Sequence, residues 1–311
     1  LGISNSSYSK ILNFNQDAKS VSSYFSGIVA FDDINYSSSL KFLKSFSESE
    51  DVNINFSSKF LQSLVNLEKY NEAYQYSKKL EKKNLSNFES NLVLGLFEFK
   101  RNNYSKAKFY FEKLDLNYEH GLILDPLKIS LKNWSDIGIS KNEKSIELIK
   151  AMPPQYGTFK IVQEAFAHCH LDTQIAEKEF NKIIKNEKNA FYRYNFFFAD
   201  FLIEKEKYKE AQNIANLTSK KFPRNLLINQ FAENLKNKSK NRNDFSCKKA
   251  EHIVAEIFYA FANALATQQN YKLSNFYISL SKYLNPNFLS YNALVAENFI
   301  MLGKYEEAKK I

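Results

Sequence analysis

Glycine is scarce in this chain: seven residues in 311, or about 2% where about 7% is usual. Proline adds only five. So little of either leaves few tight turns, which argues against β-sandwiches, barrels and propellers. The glycines, at Gly2, Gly27, Gly95, Gly121, Gly138, Gly157 and Gly303, are too scattered for a G-x-G-x-x-G or P-loop phosphate cradle. Two cysteines, Cys169 and Cys247, cannot build a disulfide framework and say little about redox compartment. No apolar run reaches the ~18 residues that a bilayer span needs; one of the longest, 257–262, stops at Asn263.

The residues of catalysis are thin as well. There are four histidines, His120, His168, His170 and His252, and no G-x-S-x-G elbow. Acid pairs such as Glu204 and Glu206 stand beside lysines and read as solvated helix faces. His168-Cys169-His170 is the one ligand-like cluster, but residues two apart on a helix point ~200° apart and do not share an ion, whereas helical metal pairs use i, i+4. It reads as packing at a helix end, and neither Cys247 nor His252 completes a recognisable ligand spacing. No catalytic residue, metal site or cofactor is therefore expected.

What is present is a globular composition, 44% hydrophobic and 25% charged, with 28 Phe and 19 Tyr and a net charge of +9. It also holds a repeat. Lys69-Tyr70-Asn71-Glu72-Ala73 recurs as Asn103-Tyr104-Ser105-Lys106-Ala107, as Lys207-Tyr208-Lys209-Glu210-Ala211 and as Lys304-Tyr305-Glu306-Glu307-Ala308. Tyr36 with Ser39 and Tyr271 with Ser274 are weaker copies. Tyr36, Tyr70 and Tyr104 are spaced by 34 residues, as are Tyr271 and Tyr305. Nine residues before the tyrosine stands a small residue at Gly27, Gly95, Ala199, Ala262 and Ala296, and fifteen after it stand Pro223 and Pro286. Apolar spacings such as Leu61, Leu64, Val65 and Phe198, Phe201, Leu202 fit a 3.6-residue period.

At these offsets the chain resembles the tetratricopeptide repeat, a 34-residue helix–turn–helix unit, and in particular uncharacterised bacterial multi-repeat proteins of that class. The resemblance implies an all-α, right-handed superhelical solenoid of antiparallel helix pairs. In it the small residue lets helix A approach its neighbour, the tyrosine opens helix B, and the Ala three residues on marks the crossing. Helix pairs are expected over 20–48, 54–83, 88–116, 122–151, 158–187, 190–222, 252–284 and 289–311. Residues 1–19 read as an irregular N-terminal segment, 20–224 as repeats one to six, 225–250 as an insertion, and 251–311 as repeats seven and eight, cut short at the C-terminus. Repeats four and five diverge. Pro153-Pro154 ends the fourth pair, and Thr173 stands in the tyrosine place of the fifth, which keeps Ala176 and Phe180. The insertion carries one helix (Leu226 to Leu235) and a basic loop.

In this family helix A lines a concave groove, so the positions that face it become the candidate peptide-binding residues: Leu92, Leu96 and Phe99 in the third unit, Arg193, Phe196 and Asp200 in the sixth, Tyr259 and Asn263 in the seventh. The Lys/Asn/Arg carboxylate clamp of some members is missing, since Leu92, Phe196 and Tyr259 fill the lysine position. The second candidate surface is the basic loop, with Lys236, Lys238, Lys240 and Arg242. Only Phe245 offers a stacking ring there, so nucleic acid is not the expected partner.

The expected function is a non-enzymatic protein–protein interaction scaffold that binds a peptide or protein segment in the groove. The alternatives are nucleic-acid or acidic-partner binding through the basic surface, and a docking region of a longer enzyme or assembly factor. The partner is expected to be a protein or peptide, with no small-molecule substrate. A start on Leu1 is compatible with a removed secretion signal, which full-length members of the resembled class often carry, and equally with a fragment of a longer chain. The location therefore inclines to the bacterial periplasm, with the cytoplasm as the alternative.

Overall fold

A computed structural model describes residues 20–46, 54–114, 124–185, 192–237 and 245–311. All regular structure among them is helical, and helices pack in consecutive pairs. The first, α1 (20–32), precedes α2 (Tyr36–Phe46), α3 (Ile54–Asn66) and α4 (Tyr70–Lys82). Next come α5 (Phe88–Lys100), α6 (Tyr104–Glu112), α7 (Leu124–Ser140) and the short α8 (Ile146–Lys150). They are followed by α9 (Gly157–His170), α10 (Ala176–Lys185), α11 (Tyr192–Glu204), α12 (Tyr208–Lys221) and α13 (Leu226–Lys236). The chain goes on through α14 (Ala250–Thr267), α15 (Tyr271–Leu284), α16 (Tyr291–Met301) and α17 (Tyr305–Ala308). No described helix is long and apolar enough to cross a membrane.

Each of the six repeated tyrosines is the first residue of a helix: α2, α4, α6, α12, α15 and α17. The turn before it is built the same way six times. The residue two before the tyrosine is left-handed, with φ from 57° to 70°: Ile34, Glu68, Asn102, Glu206, Gln269 and Gly303. The residue just before the tyrosine then donates its N–H to the carbonyl five residues back, as Lys69 to Leu64 at 2.9 Å and Lys207 to Leu202 at 2.8 Å. This closes helix A with a Schellman-type bond and aims the chain into helix B. Glycine usually takes that left-handed place because it has no Cβ to clash; here only one of the six is glycine.

Helix crossings use the small residues. Ser39, Ala73, Ala107, Ala211 and Ser274, three residues into their helices, are fully buried. The Ser274 hydroxyl donates to the Ala262 carbonyl at 2.8 Å, which joins the two small positions of one pair directly. A Cβ on Gly27 would come within 2.4 Å of the Leu43 side chain, so α1 and α2 touch at a spacing that only glycine permits. Aromatic rings fill the layers between and within pairs: Phe180 stacks on Phe198 of the next pair at 5.2 Å, and Phe60 meets Tyr76 of its own pair edge-on at 4.7 Å.

The fifth pair corrects the expected register. Asp172 is the left-handed residue, and Thr173 donates to the His168 carbonyl at 3.0 Å. Thr173 therefore stands in the place of the residue before the tyrosine, and Gln174 in the tyrosine place. The turn itself closes as in the other pairs, but the step from the left-handed residue to the buried small residue is one shorter, so Ala176 reaches the buried crossing early.

The chain divides into two compact units. The first holds residues 1–97 and 113–117, the second 98–112 and 118–311. In the first unit a capping pair opens α5: Ser90 donates its N–H to Asn87 Oδ1 at 2.9 Å and Asn87 its N–H to Ser90 Oγ at 2.8 Å. Within the second unit the packing is more than nearest-neighbour. Helix α14 lies against α7 as well as α15, and the Lys100 ammonium sits 4.4 Å over the Tyr283 ring. The divergent fourth and fifth pairs are tied by a buried polar bridge, in which Trp134 Nε1 donates to Gln163 Oε1 at 3.2 Å and Gln163 Nε2 to Ser130 Oγ at 3.1 Å.

Candidate functional site

Positions in the same register of neighbouring A helices meet. Arg193 opens α11 and Glu256 lies in the second turn of α14; both side chains are buried. Arg193 Nε donates to Glu256 Oε2 at 2.7 Å and Nη2 to Oε1 at 2.6 Å, a bidentate pair. Nη1 donates to Ser290 Oγ at 3.0 Å, and the Tyr291 hydroxyl donates to Glu256 Oε1 at 2.8 Å. The guanidinium lies 3.9 Å over the Tyr259 ring and 4.7 Å over that of Phe288. Burial by itself would lower the Arg193 pKa; the Glu256 carboxylate overrides it and holds the group above its ordinary value. Burial, followed by the same carboxylate, pushes the Tyr291 hydroxyl well up.

Most of the other candidate groove residues are likewise enclosed by their own chain. Leu92 and Leu96 are buried in the first unit, Phe99, Phe196 and Asp200 in the second. Phe99 meets Tyr104 edge-on at 5.1 Å, and Phe196 meets Phe231 of α13 at 4.7 Å. Tyr259 and Asn263 are half-buried. A ligand cannot reach Leu92, Leu96, Phe99, Arg193 or Phe196 without displacing intramolecular packing. Of the basic-loop candidates, Lys236 is exposed at the end of α13, while Lys238, Lys240 and Arg242 lie outside the described residues.

The second unit does hold an open cleft on its A helices. It measures about 390 Å³ and is lined by Pro126 of α7, Tyr156 beside α9, Phe159 and Val162 of α9, Tyr194 of α11, and Phe261 of α14. Ala260 and Ala264 of α14 and the polar Gln155 and Thr158 complete the wall. Phe159 and Phe261 pack edge-on at 5.2 Å across it. The lining is mainly apolar, with a few polar groups, in the size range of ligand sites. Sequence reading missed it because Ala260, Phe261 and Ala264 are not the groove positions of the 34-residue register.

The two cysteines, too, find each other. Cys169 and Cys247 are disulfide-bonded, with Cα atoms 5.9 Å apart and a sequence separation of 78. Their neighbours are polar. The Lys248 ammonium donates to the Cys169 carbonyl at 3.0 Å and pairs with Asp172 at 2.9 Å, and Lys205 reaches the same carboxylate at 2.7 Å. These two hydrogen-bonded ammoniums lower the Asp172 pKa to about 2. His170 Nδ1 donates to the Cys247 carbonyl at 3.1 Å, and His168 Nδ1 lies 2.8 Å from Thr173 Oγ1. The two imidazoles of the His-Cys-His cluster thus serve different partners. Among the described residues, no group of three or more His, Cys, Asp or Glu side chains is placed to hold a metal ion.

No protein-family model matches the chain, and a search of curated proteins returns no significant match.

Proposed function

We propose that this chain is a non-enzymatic interaction scaffold of tetratricopeptide-repeat type, and that it holds an apolar side chain of a peptide or protein segment in the cleft between α7, α9, α11 and α14. The right-handed superhelical winding implied by the repeat resemblance is part of this reading. The carrying observation is the cleft itself: four A helices of successive pairs present Pro126, Phe159, Tyr194 and Phe261 around one opening, with Tyr156 just ahead of α9 beside them. Recognition of this kind draws its energy from a buried apolar anchor and its specificity from a few polar groups at the rim, here Gln155 and Thr158. Nucleic-acid binding has less to stand on, because the described Lys248 is already engaged by Asp172 and the Cys169 carbonyl.

The test is selection of binding peptides from a displayed random library by the wild-type chain and by Ala264→Trp, which fills the cleft from an existing wall position. Peptides with an aromatic or aliphatic anchor should bind the wild type and lose at least tenfold in affinity for the variant, with helical content unchanged. Binding that is indifferent to Ala264→Trp would refute the cleft as the site. Failure to enrich any peptide would refute the scaffold reading.

A further inference from the structure

The insertion returns to the helical array through a short stretch, Phe245 to Lys249, in which every residue but the last is fastened by a contact that involves a side chain. Phe245 stacks on Phe197 at 4.0 Å, the Ser246 N–H donates to His252 Nδ1 at 3.1 Å, and Cys247 is bonded to Cys169. Lys248 adds its hydrogen bond to the Cys169 carbonyl and its ion pair with Asp172. The anchor on the other side is the last turn of α9 and the tight turn that follows it. Cys169 is 0% exposed and Cys247 5%, so neither sulfur is open to a reductant while the segment stays docked.

We propose that Cys169–Cys247 is a buried covalent pin, formed by oxidative folding, that fixes the return of the insertion onto the end of α9, and that the chain functions in an oxidising compartment. The chemistry is an exchange. Two thiols lose two protons and two electrons and form one S–S bond, while the disulfide of a thiol–disulfide oxidant is reduced to two thiols. Such bonds persist in oxidising compartments and are rare where thiol reductants are kept abundant. The pin closes a long loop, the case in which a cross-link restricts the unfolded chain most. Its burial separates it from redox-sensor cysteines, which sit exposed with low pKa.

The test uses the whole chain, refolded with a glutathione redox couple and then unfolded in guanidinium with iodoacetamide before reduction and labelling with N-ethylmaleimide. The expected result is N-ethylmaleimide on both cysteines and, without reduction, one proteolytic species that contains both. Iodoacetamide on both would overturn the proposal. Hydrogen exchange on the folded chain supplies the second arm and needs no variant. Reduction with dithiothreitol should be slow until mild denaturant loosens the segment. Afterwards exchange should quicken at 245–249 and at the end of α9, while α3 and α4 keep their rates. Rapid reduction of the folded chain, or exchange at 245–249 unchanged by reduction, would show that the bond pins nothing.

Discussion

The six repeated turns make a prediction that runs against the usual direction of mutagenesis: glycine, inserted at chosen places, should stabilise this protein. Glu206 (φ 61°) and Gln269 (φ 62°) hold the same left-handed position as Gly303 (φ 70°). Their own N–H groups donate to Ile203, Ala266 and Ile300 at 2.9 Å in all three turns, so the backbone around them is equivalent. Both Glu206 and Gln269 are exposed, and their replacement removes no buried surface. An L-residue in this conformation costs about 1–2 kcal/mol. Against that, glycine adds unfolded-chain entropy of about 0.5–1 kcal/mol. Glu206→Gly and Gln269→Gly should each gain about 0.5–1 kcal/mol, and the pair about 1–2 kcal/mol, since the turns are separate and share no partner. The reciprocal change isolates the backbone term. A Cβ at Gly303 would meet no atom within 4 Å, so Gly303→Ala should lose about 1 kcal/mol for conformation alone. Glu206→Ala, which keeps the Cβ, should stay within about 0.5 kcal/mol of wild type. Urea denaturation followed by circular dichroism reads all five variants as shifts of midpoint at constant slope. A double-glycine variant no more stable than wild type, with Gly303→Ala neutral, would refute the claim that these turns carry conformational cost.

Three other outcomes are expected. Gly138→Ala should destabilise the second unit by about 1–3 kcal/mol, because its Cβ would fall 2.5 Å from the Tyr104 ring; Tyr104→Ala should be less harmful with it than the separate effects suggest, as a double-mutant cycle in urea will read. Arg193→Ala should cost about 3–5 kcal/mol by leaving Glu256 buried without its bidentate partner, whereas Arg193→Met with Glu256→Leu should recover much of the loss; equal damage from single and double variants would contradict this account. Stability should fall on acidification from pH 6.5 toward 4. His252 is depressed to about 4 by burial and by Lys249 and Lys100, so in that window the unfolded chain binds the proton that the folded chain refuses. Urea midpoints against pH should flatten there in His252→Gln, and a wild type that grows more stable between pH 6.5 and 5 would reverse the sign.

Local features were the most legible in the sequence. Helix starts at residues 54, 88, 124, 157, 192, 250 and 291 lie within two residues of those expected from the 34-residue spacing, because the tyrosine, the small residues and the apolar period all act within one hairpin. The fifth pair slipped for the same reason in reverse. Without a tyrosine, only Ala176 fixed the register, and one residue fewer between the turn and that alanine leaves no compositional trace. The scarcity of glycine correctly argued against folds rich in tight turns, yet the helical turns use left-handed residues all the same and place Ile, Glu, Asn and Gln in them.

The candidate site was less legible because it depends on contacts between distant repeats. A register position says which side of its own pair a residue faces; it does not say what arrives on that side. Arg193 and Glu256 occupy the same register position in two units, and the chain brings those positions against each other, so charge complementarity between repeats consumes the surface that one repeat alone would expose. The same return of the chain sets α14 against α7 and brings Cys247 to Cys169 across 78 residues. What remains open is the cleft, whose alanines at 260 and 264 leave space beside Phe261 and Phe159. Those alanines carry no charge, motif or period of their own. Their meaning comes only from the aromatic rings that other helices set around them, which is why the cleft could be found in three dimensions and not along the chain.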